Sequence, residues 1–419
     1  MFNLPAPPDG LRYFTCDLHI HIGRACDRPI KLTAARDLTF ANIAREASER
    51  KGVEVVGIID CASPAVLTEI RNCLDDGTMA EQPGGGLVYA PQRDRARPTT
   101  VILAAEIETV EREGVGRLSH HVGFFRTLDA ITAFSDTLSQ FVKNMNLSSQ
   151  NCHSSAVELL RLVCELGGFL VPAHAFTPHK SLYGSSARRL TQLFDPHGDA
   201  VFCVELGLSA DSSLADRIDE LHTRTFITNS DAHSLPKIAR EYNVIALGAP
   251  TFDELRLALR HEQGRFIAAN YGLDPKLGKY HRTFCEACQQ VQVAEPPVQA
   301  CALCGSTNVT RGVLDRIVEI QDRPAPNSPP HRPPYRYQVP LQFLPKLGPT
   351  TLNKLLNRFG TEMFVLHQAT AEELTQVVAP AIAETILSAR DGTLQLLPGG
   401  GGRYGRAVGS AAETQLRLL

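Results

Sequence analysis

The chain has 419 residues, of which 43% are hydrophobic and 21% are charged, and its formal net charge is −3. This length predicts two or three domains, and the near-neutral charge excludes a protein that binds nucleic acid through a strongly basic surface alone. No apolar run approaches the roughly 18 residues of a membrane span, and residues 1–12 lack the basic and apolar segments of a secretory signal. We therefore expect a cytoplasmic protein that does not contact the membrane.

Residues 11–272 alternate short apolar segments with amphipathic ones. The predicted strands are 13–21, 53–60, 100–108, 119–125, 168–174, 202–206, 224–231 and 243–247. The predicted helices are 39–51, 64–75, 128–141, 154–166, 212–222 and 251–263, with Thr39 and Ser154 as N-caps and Gly52 and Gly167 as C-terminal stops. Strands separated by such helices indicate βα units and a parallel sheet, and seven or eight units predict a closed or nearly closed α/β barrel.

Two histidines end the first predicted strand. Residues i and i+2 of a strand point to the same side, so His19 and His21 should lie together while Leu18, Ile20 and Ile22 face the other way. Two adjacent imidazoles suit zinc and similar divalent ions, although an exposed histidine beside a core histidine would read the same way.

Carboxylates and further imidazoles lie at or near the ends of the later strands. They are Asp60, Glu106, His120, His121, His174, Glu205, Asp231 and His233. Each alone has a structural explanation, such as a cap or a core histidine. Side chains at the carboxyl ends of parallel strands converge, however, and so many buried ionisable groups cost several kcal/mol each unless cations compensate them. The pattern predicts a polynuclear metal centre.

In this order His19-x-His21, Glu106, His121, His174 and Asp231-Ala232-His233 resemble the polymerase-and-histidinol-phosphatase (PHP) domain over about 270 residues. The resemblance implies a distorted (βα)7–8 barrel that binds two or three divalent metals and cleaves phosphoester bonds. It implies one metal held by His19, His21, Glu106 and Asp231, and a second held by Glu106, His121 and His174.

His121 is preferred to His120 because family members place this ligand just before an apolar residue. Asp60 and His233 would support a weaker third ion, at a place where Cys61 replaces a histidine that many family members carry. Paired metals lower the pKa of a bound water and clamp the attacking and leaving oxygens of an in-line displacement. The resemblance thus makes Asp231, Glu106 and His233 the catalytic candidates.

A second motif follows at 280–321, where two CxxC pairs lie twelve residues apart. Cys285, Cys288, Cys301 and Cys304 have the spacing of a tetrahedral zinc site, and four unrelated thiols are a poor explanation of it. So small a unit cannot bury its own core, so we predict a zinc ribbon folded by its metal.

Residues 322–340 contain seven prolines and predict an extended linker. Residues 341–397 resemble a helix-hairpin-helix DNA-binding domain, in which a glycine turn aims backbone N–H groups at a phosphate; an ordinary helical pair is the alternative. Gly348, Lys346 and Lys354 are its candidate DNA contacts. The Gly-rich basic tail at 398–419 could be a loop that contacts the DNA backbone or a disordered segment, and its composition favours disorder.

A PHP-type barrel at 1–279, a four-Cys ribbon and a DNA-type hairpin, in this order, resemble the endonuclease Q family. The resemblance implies nicking of damaged double- or single-stranded DNA 5′ of deaminated bases (hypoxanthine, uracil, xanthine) or abasic sites, and a nucleoid-associated protein. A sliding clamp or other repair proteins could be partners. Phe176 and Tyr183 follow His174 and could stack on a flipped base, although both rings could instead belong to the core.

We expect Zn²⁺ in the ribbon and in the catalytic centre, where Mg²⁺ or Mn²⁺ are alternatives. Two other functions remain open on the sequence. One is a PHP phosphoesterase that acts on a small phosphate monoester and uses the ribbon to oligomerise. The other is a non-catalytic DNA-binding protein that keeps metals for stability.

Overall fold

The computed structural model describes residues 4–93, 96–110 and 118–408. In this part of the chain the strands are β1 (Arg12–Ile20), β2 (Arg24–Ala25), β3 (Arg28–Pro29), β4 (Val55–Ile58), β5 (Met79–Glu81), β6 (Leu87–Tyr89), β7 (Thr99–Val110), β8 (Leu118–Phe125), β9 (Asn151–Cys152), β10 (Phe169–Pro172), β11 (Cys203–Glu205), β12 (Thr225–Ile227), β13 (Tyr242–Leu247), β14 (Phe266–Gly272), β15 (Phe284–Cys285), β16 (Gln290–Val291), β17 (Val309–Thr310), β18 (Tyr335–Tyr337), β19 (Gln395–Leu397) and β20 (Arg406–Val408).

The α-helices are α1 (Phe40–Glu46), α2 (Pro64–Asp75), α3 (Leu128–Leu138), α4 (Ala156–Glu165), α5 (Thr191–Phe194), α6 (Ser212–Ala215), α7 (Phe252–Leu259), α8 (Val313–Ile320), α9 (Pro349–Phe359), α10 (Glu362–His367), α11 (Ala371–Thr375) and α12 (Pro380–Arg390). Each predicted strand overlaps an observed strand, whereas β14, α5 and several two- or three-residue strands were not predicted. None of these helices has both the length and the apolar character that crossing a membrane would require.

A mixed central sheet organises the fold. Its strand order is β10-β8-β7-β4-β1-β13-β14-β18, with β6 and β9 alongside β7 and β5 paired with β6. β4 runs parallel to both β1 and β7, but the β1–β13, β7–β8, β8–β10 and β13–β14 pairs are antiparallel. The prediction of a parallel sheet therefore holds for β1, β4 and β7 and is wrong for the antiparallel pairs. Only seven residues separate β7 from β8, and a parallel crossover needs a dozen or more.

The strands surround one inner apolar cluster. Side chains from β1, β4, β7, β8, β10, β11, β12 and β13 meet in it, and α7 packs against the same cluster. By backbone ladders β11 and β12 form a separate parallel pair. Isolated backbone hydrogen bonds connect this part of the chain to the neighbouring strands. The Ala175 N–H donates to Glu205 O at 2.8 Å, and Ile20 forms an isolated β-bridge with Ala232. The α/β architecture is confirmed, and full barrel closure stays a prediction.

A β-bulge in β1 decides where the first two histidines point. The register of β1 against β4 shifts between Asp17 and Ile20. Up to the shift, Phe14, Cys16 and Leu18 pack in the inner cluster. After it, Ile20 and Ile22 pack in a second apolar cluster on the other side of the sheet, the outer core. A bulge inserts one extra residue and so reverses the alternation. The prediction that Leu18 shares a side with Ile20 is wrong for this reason.

Helix caps follow the sequence closely. The Thr39 side chain accepts the Asn42 N–H, and Gly52 ends the helical segment with φ 79°. The N-cap of α4 is Ser155 rather than Ser154, because Ser155 forms a capping box with Glu158.

The proline-rich segment, residues 322–340, packs against the part of the chain that contains the central sheet. Arg332 is paired with Asp216 at 2.8 Å, and both side chains are buried. β18 adds a parallel strand to β14. The extended linker predicted at 322–340 is therefore wrong as a description of a free connector. An edge strand can contain prolines, and Arg332 of this segment pairs with the buried carboxylate of Asp216.

Residues 395–408 also depart from expectation. β19 and β20 form an antiparallel hairpin, where composition indicated disorder. The rest of the predicted tail, residues 409–419, lies outside the described residues. The helical region 341–397 contains α9 to α12, as a helical prediction requires.

One buried carboxyl before β13 gives the fold a pH dependence. Glu241 is fully buried and accepts the Leu273 N–H at 2.8 Å. Burial raises the pKa of Glu241 to about 8, with smaller contributions from Glu205 and Asp17, although the Leu273 N–H and Arg240 oppose it.

The folded state therefore holds a proton that the unfolded state releases near pH 4.3, so stability falls as pH rises between these values by at most about 1.4 kcal/mol per unit. We expect the thermal midpoint of the wild type to fall relative to that of Glu241→Gln as pH rises from about 5 to about 8.5. Parallel midpoints across that range would contradict the assignment.

Candidate metal centre

Glu106 lies at the middle of the candidate site. It is on β7, and its side chain is 1% exposed at the end of the inner cluster. Its Oε1 lies 3.6 Å from His19 Nε2, and its Oε2 lies 3.7 Å from His21 Nε2. Asp231 Oδ1 completes this group at 3.7 Å from His19 Nε2 and 3.5 Å from His21 Nε2.

These separations suit a metal ion. An ion about 2.1 Å from each nitrogen and oxygen places neighbouring ligand atoms about 3.4 Å apart in a tetrahedron. His19 Nε2 is buried and has no hydrogen-bond partner, which a cation at this point would satisfy. His19, His21, Glu106 and Asp231 thus have the geometry of the first metal position that the PHP resemblance implies.

Carboxylates behind the two histidines fix which nitrogen faces the site. His19 Nδ1 donates to Glu205 Oε2 at 2.9 Å, and Asn229 holds the same oxygen at 3.2 Å. His21 Nδ1 donates to Asp60 Oδ2 at 3.1 Å, and the Ile22 N–H donates to that oxygen at 2.7 Å. Each ring is left with a lone pair on Nε2, which is the tautomer a metal needs. Asp60, predicted as a ligand, here orients one instead.

The electrostatics also favour a cation. Burial lowers the pKa of His19, but Glu205, Asp231 and Glu106 outweigh it and raise that pKa to about 10. Burial would raise the pKa of Glu106, yet His120 and Lys31 hold it well below its usual value. Burial likewise opposes the lowering of the Asp231 pKa, which His21, His19 and His233 bring about. In the absence of a metal, the carboxylates of Glu205, Asp231 and Glu106 thus favour a proton on His19, and a bound cation would take its place.

A second group of donors shares Glu106. His120 Nδ1 lies 3.0 Å and His174 Nε2 lies 3.4 Å from Glu106 Oε1. His174 is held at φ 31°, and its Cβ lies 2.9 Å from where a side chain on Gly207 would begin. A non-glycine residue at positive φ is strained, and strain of this kind is common at functional sites.

The preference for His121 over His120 is wrong. On β8 His120 lies opposite Glu108, while His121 lies opposite Ile107, whose side chain belongs to the outer core. His121 Nε2 lies 2.7 Å from Ser119 Oγ, and its ring packs against Phe194. Burial and the nearby His120 and His174 lower the pKa of His121 to about 3. Its neutral ring is a core group on the far face of the strand.

This difference can be measured. We expect His120→Ala to reduce catalytic-centre metal content and activity by more than about 10-fold, because it removes a donor beside Glu106. His121→Ala is the matched control and should lower thermal stability while leaving the metal affinity within a factor of about three. Equal metal loss in the two variants, measured by elemental analysis, would contradict the assignment.

His233 and Cys61 bear on a third position. The His233 ring is 4.5 Å from that of His21, and His21, Asp231 and His233 offer donor atoms within 4.8 Å of one another. Burial and His21 lower the pKa of His233 to about 4. Cys61 is buried and its thiol donates to Ile58 O at 3.1 Å, so its sulfur does not point to this position as a ligand.

The sequence reasoning missed four residues beside this site. Lys31 Nζ lies 3.6 Å from Glu106 Oε2, and Ser149 donates to the same oxygen. Glu108 Oε2 holds His120 Nε2 at 3.1 Å and Lys180 Nζ at 2.6 Å. The Glu106-x-Glu108 spacing on one strand was a signal for Glu108, whereas Lys31, Ser149 and Lys180 come from loops that the strand pattern does not place.

Phe176 and Tyr183 do not line the site. Both are 1% exposed or less, and their rings stack on each other at 5.2 Å. The Tyr183 hydroxyl donates to Glu220 at 2.8 Å. The proposal that they stack on a flipped base is wrong, since both are packed core residues.

The four cysteines of the second motif converge. Cys285 Sγ lies 3.6 Å from Cys304 Sγ, and Cys288 Sγ lies 3.6 Å from Cys301 Sγ. All four sulfurs lie within 4.8 Å of one another beside the sheet of β15, β16 and β17. Tetrahedral zinc at about 2.3 Å from each sulfur separates sulfurs by about 3.8 Å, so the cluster is compatible with a zinc ribbon.

Known proteins resemble this chain over most of its length. YqxK, an uncharacterised protein of Bacillus subtilis (strain 168), is 46% identical over 392 residues, which are 93% of this chain and 98% of that protein. MJ0043 of Methanocaldococcus jannaschii, also uncharacterised, is 36% identical over 253 residues, 56% of this chain and 31% of that protein. No family model matches the chain.

Two solved structures cover nearly the whole chain. The lesion-specific endonuclease PfuEndoQ from Pyrococcus furiosus is 31% identical with a TM-score of 0.78, over 94% of this chain and 95% of that one. An endonuclease Q in complex with a 27-mer duplex that carries an abasic lesion at its active site is 30% identical with a TM-score of 0.80, over 96% and 98%. By sequence identity and full-length structural similarity, the chain belongs to the endonuclease Q family of endonucleases.

Proposed function

We propose that this protein is a metal-dependent DNA repair endonuclease that nicks the strand 5′ of deaminated bases or abasic sites. The observation that carries the proposal is the donor set around Glu106, in a chain whose whole length matches endonuclease Q. The related complex contains duplex DNA with an abasic lesion, which supports damaged DNA as the substrate class.

The PHP-type resemblance and the donor geometry support the same metal positions. His19, His21, Asp231 and Glu106 would hold one ion, because the two imidazole Nε2 atoms lie 3.5 to 3.7 Å from oxygens of both carboxylates. Glu106, His120 and His174 would hold a second. His21, Asp231 and His233 offer a further position. Bound divalent metals would supply a water activated near neutral pH and a clamp on the oxygens of the displacement. Zn²⁺, Mg²⁺ and Mn²⁺ all suit these nitrogen and oxygen donors.

The protein's own residues set the geometry. Glu106 turns Oε1 toward His120 and His174 and Oε2 toward His21, so one buried carboxylate joins the two donor groups. Glu205 and Asp60 hold the rings of His19 and His21. A site held in this way would position a reacting phosphate without reorganising during the reaction.

The remaining modules would hold the DNA. We infer that the cysteine cluster binds a structural zinc. Residues 341–397 would bind the backbone as a helix-hairpin-helix, because Gly348 is the exposed N-cap of α9 and leaves the first backbone N–H groups of that helix for a phosphate. Lys346 and Lys354 are exposed on the same segment and would add charge.

Nicking of matched duplexes tests the proposal. Duplexes with one deoxyinosine, deoxyuridine, deoxyxanthosine or abasic site are compared with the undamaged duplex, each with Mg²⁺, Mn²⁺ or Zn²⁺. We expect cleavage only of damaged strands. A small phosphate monoester is the further substrate: its turnover without any lesion-dependent nicking would favour a phosphoesterase and overturn the proposal.

A further inference from the structure

The C-terminal hairpin packs directly onto the segment that precedes Lys279. Gly399 N–H donates to Lys276 O at 2.7 Å, and Gly405 N–H donates to Leu277 O at 2.9 Å. A side chain on Gly399 would begin 2.8 Å from Gly278 O. These approaches need glycine, so the Gly-rich composition serves a close backbone contact.

Tyr404 of this hairpin reaches two cations beside the metal centre. Arg240 Nη1 donates to the Tyr404 hydroxyl at 2.8 Å. Lys279 Nζ lies 4.7 Å from the centroid of the same ring, within range of a cation–π contact. The hairpin therefore fixes where these two positive groups stand.

Arg240 connects the hairpin to the proposed metal ligand Asp231. The guanidinium of Arg240 is buried and donates to Ser230 O at 2.6 Å and to Asp231 O at 3.1 Å. Asp231 itself is held at φ 45°. The hydrogen bonds of Arg240 thus hold the backbone of the turn that aims the carboxylate.

Lys237, Arg240 and Lys279 form a basic cluster, because the Arg240 N–H donates to Lys237 O at 3.2 Å and the Arg240 and Lys279 side chains share the Tyr404 ring. Among the residues that the structure describes, no carboxylate lies within ion-pair distance of any of the three. Burial and then Arg240 lower the pKa of Lys237 and of Lys279, and Asp231 is the acidic residue that opposes this lowering. A divalent metal bound at Asp231 would neutralise that carboxylate. The three cations would then be available to attract an anionic ligand.

We propose that Lys237 and Lys279 bind a backbone phosphate of the DNA that flanks the scissile bond, and that Tyr404 positions Lys279 and Arg240 for this contact. The inference rests on the proposed function. Two half-buried ammonium groups beside a phosphodiester-cleaving centre match a phosphate in charge and offer it charge-assisted hydrogen bonds. The C-terminal hairpin is then part of the active site.

Substitutions of single residues test the contact. We expect Lys237→Ala and Lys279→Ala each to lower kcat/KM on a damaged duplex by about 10-fold to 100-fold, with unchanged metal content. Tyr404→Phe keeps the ring but loses the hydroxyl and should have a smaller effect than Tyr404→Ala. Arg256→Ala is the charge-matched control, because Arg256 is exposed on α7. This helix follows Leu247, which pairs with Arg12 at the end of β1 that is remote from His19.

A neutral methylphosphonate placed at each phosphate around the nick identifies the contact. The Lys279→Ala effect should disappear on the one duplex whose contacted phosphate is neutral, which also separates a DNA phosphate from free phosphate. An effect of the same size on every duplex, or one no larger than that of Arg256→Ala, would overturn the inference.

Binding measurements keep this test separate from the proposed function. Each lysine substitution should reduce the slope of log affinity against log salt by about one. If the wild type nicks no damaged duplex, the proposed function fails, and the salt slope alone tests the phosphate contact. Slopes of the two lysine variants equal to that of Arg256→Ala would overturn the contact, and smaller slopes would support it.

Discussion

Replacement of Asp231 by alanine should reduce kcat/KM for a damaged duplex by well over about 100-fold. Loss of a residue that merely supports a metal ligand costs about 10-fold to 100-fold, and Asp231 Oδ1 itself lies 3.5 Å and 3.7 Å from the two histidine nitrogens it would share an ion with. Its removal leaves Glu106 as the carboxylate beside the His19 and His21 rings, so this donor group attracts a divalent cation less strongly. Single-turnover nicking measures the effect.

Asp253→Ala is the matched control for this change. Asp253 pairs with Arg126 on the surface of α7, where its side chain is 47% exposed. An exposed ion pair contributes little, so we expect wild-type nicking from this variant. Zinc in the cysteine cluster should stay at one equivalent in both proteins. Nicking retained in Asp231→Ala would contradict the proposed metal centre.

Replacement of Cys288 by serine should remove the structural zinc and unfold the segment around it. Zinc binding to small finger peptides is worth about 10–16 kcal/mol, far more than so small a sheet can gain by burial. The segment is tied to α8 through Asp315, which accepts the Thr283 N–H at 3.0 Å and the Val298 N–H at 2.8 Å. Loss of the metal should therefore expose these bonds and α8 to solvent.

Elemental analysis and limited proteolysis between 280 and 312 report this loss. Cys164→Ser is the control, because Cys164 is an exposed single thiol on α4. We expect it to keep its zinc and its resistance to protease. A Cys288→Ser protein that keeps the full zinc content of the wild type would contradict the cluster assignment.

Residues of the first donor group could be predicted from the sequence because each lies within or at the end of an apolar run. His19 and His21 follow the period of a strand, and Asp231 and Glu106 end apolar runs, so convergence required only the sheet. The fold class followed from the same alternation. Strand direction did not, because it depends on the connections rather than on the apolar pattern.

The choice between His120 and His121 needed the pairing register. Both histidines follow the same apolar alternation, and only their partners on β7, Glu108 and Ile107, show which one faces the inner cluster. The stacking proposal for Phe176 failed for a related reason, since position after a ligand says nothing of which way a ring turns. Lys31 and Lys180 could not be placed because loop conformations bring them to the carboxylates.

The C-terminal segments show where composition misleads. Prolines at 322–340 and glycines at 398–408 are typical of linkers and disordered tails. Here Arg332 is held by a buried Asp216, and glycine permits the backbone of the hairpin to approach Gly278. Such contacts depend on tertiary neighbours that a local pattern does not contain.

The most direct test maps the nick at nucleotide resolution. An end-labelled duplex with a single deoxyuridine is incubated with the wild type, with Asp231→Ala and with metal-depleted wild type before and after Mg²⁺, Mn²⁺ or Zn²⁺ is restored. We predict one product, cut on the 5′ side of the lesion, from the metal-loaded wild type alone. Cleavage of the undamaged duplex to the same extent, or nicking that survives loss of Asp231 or of metal, would contradict it.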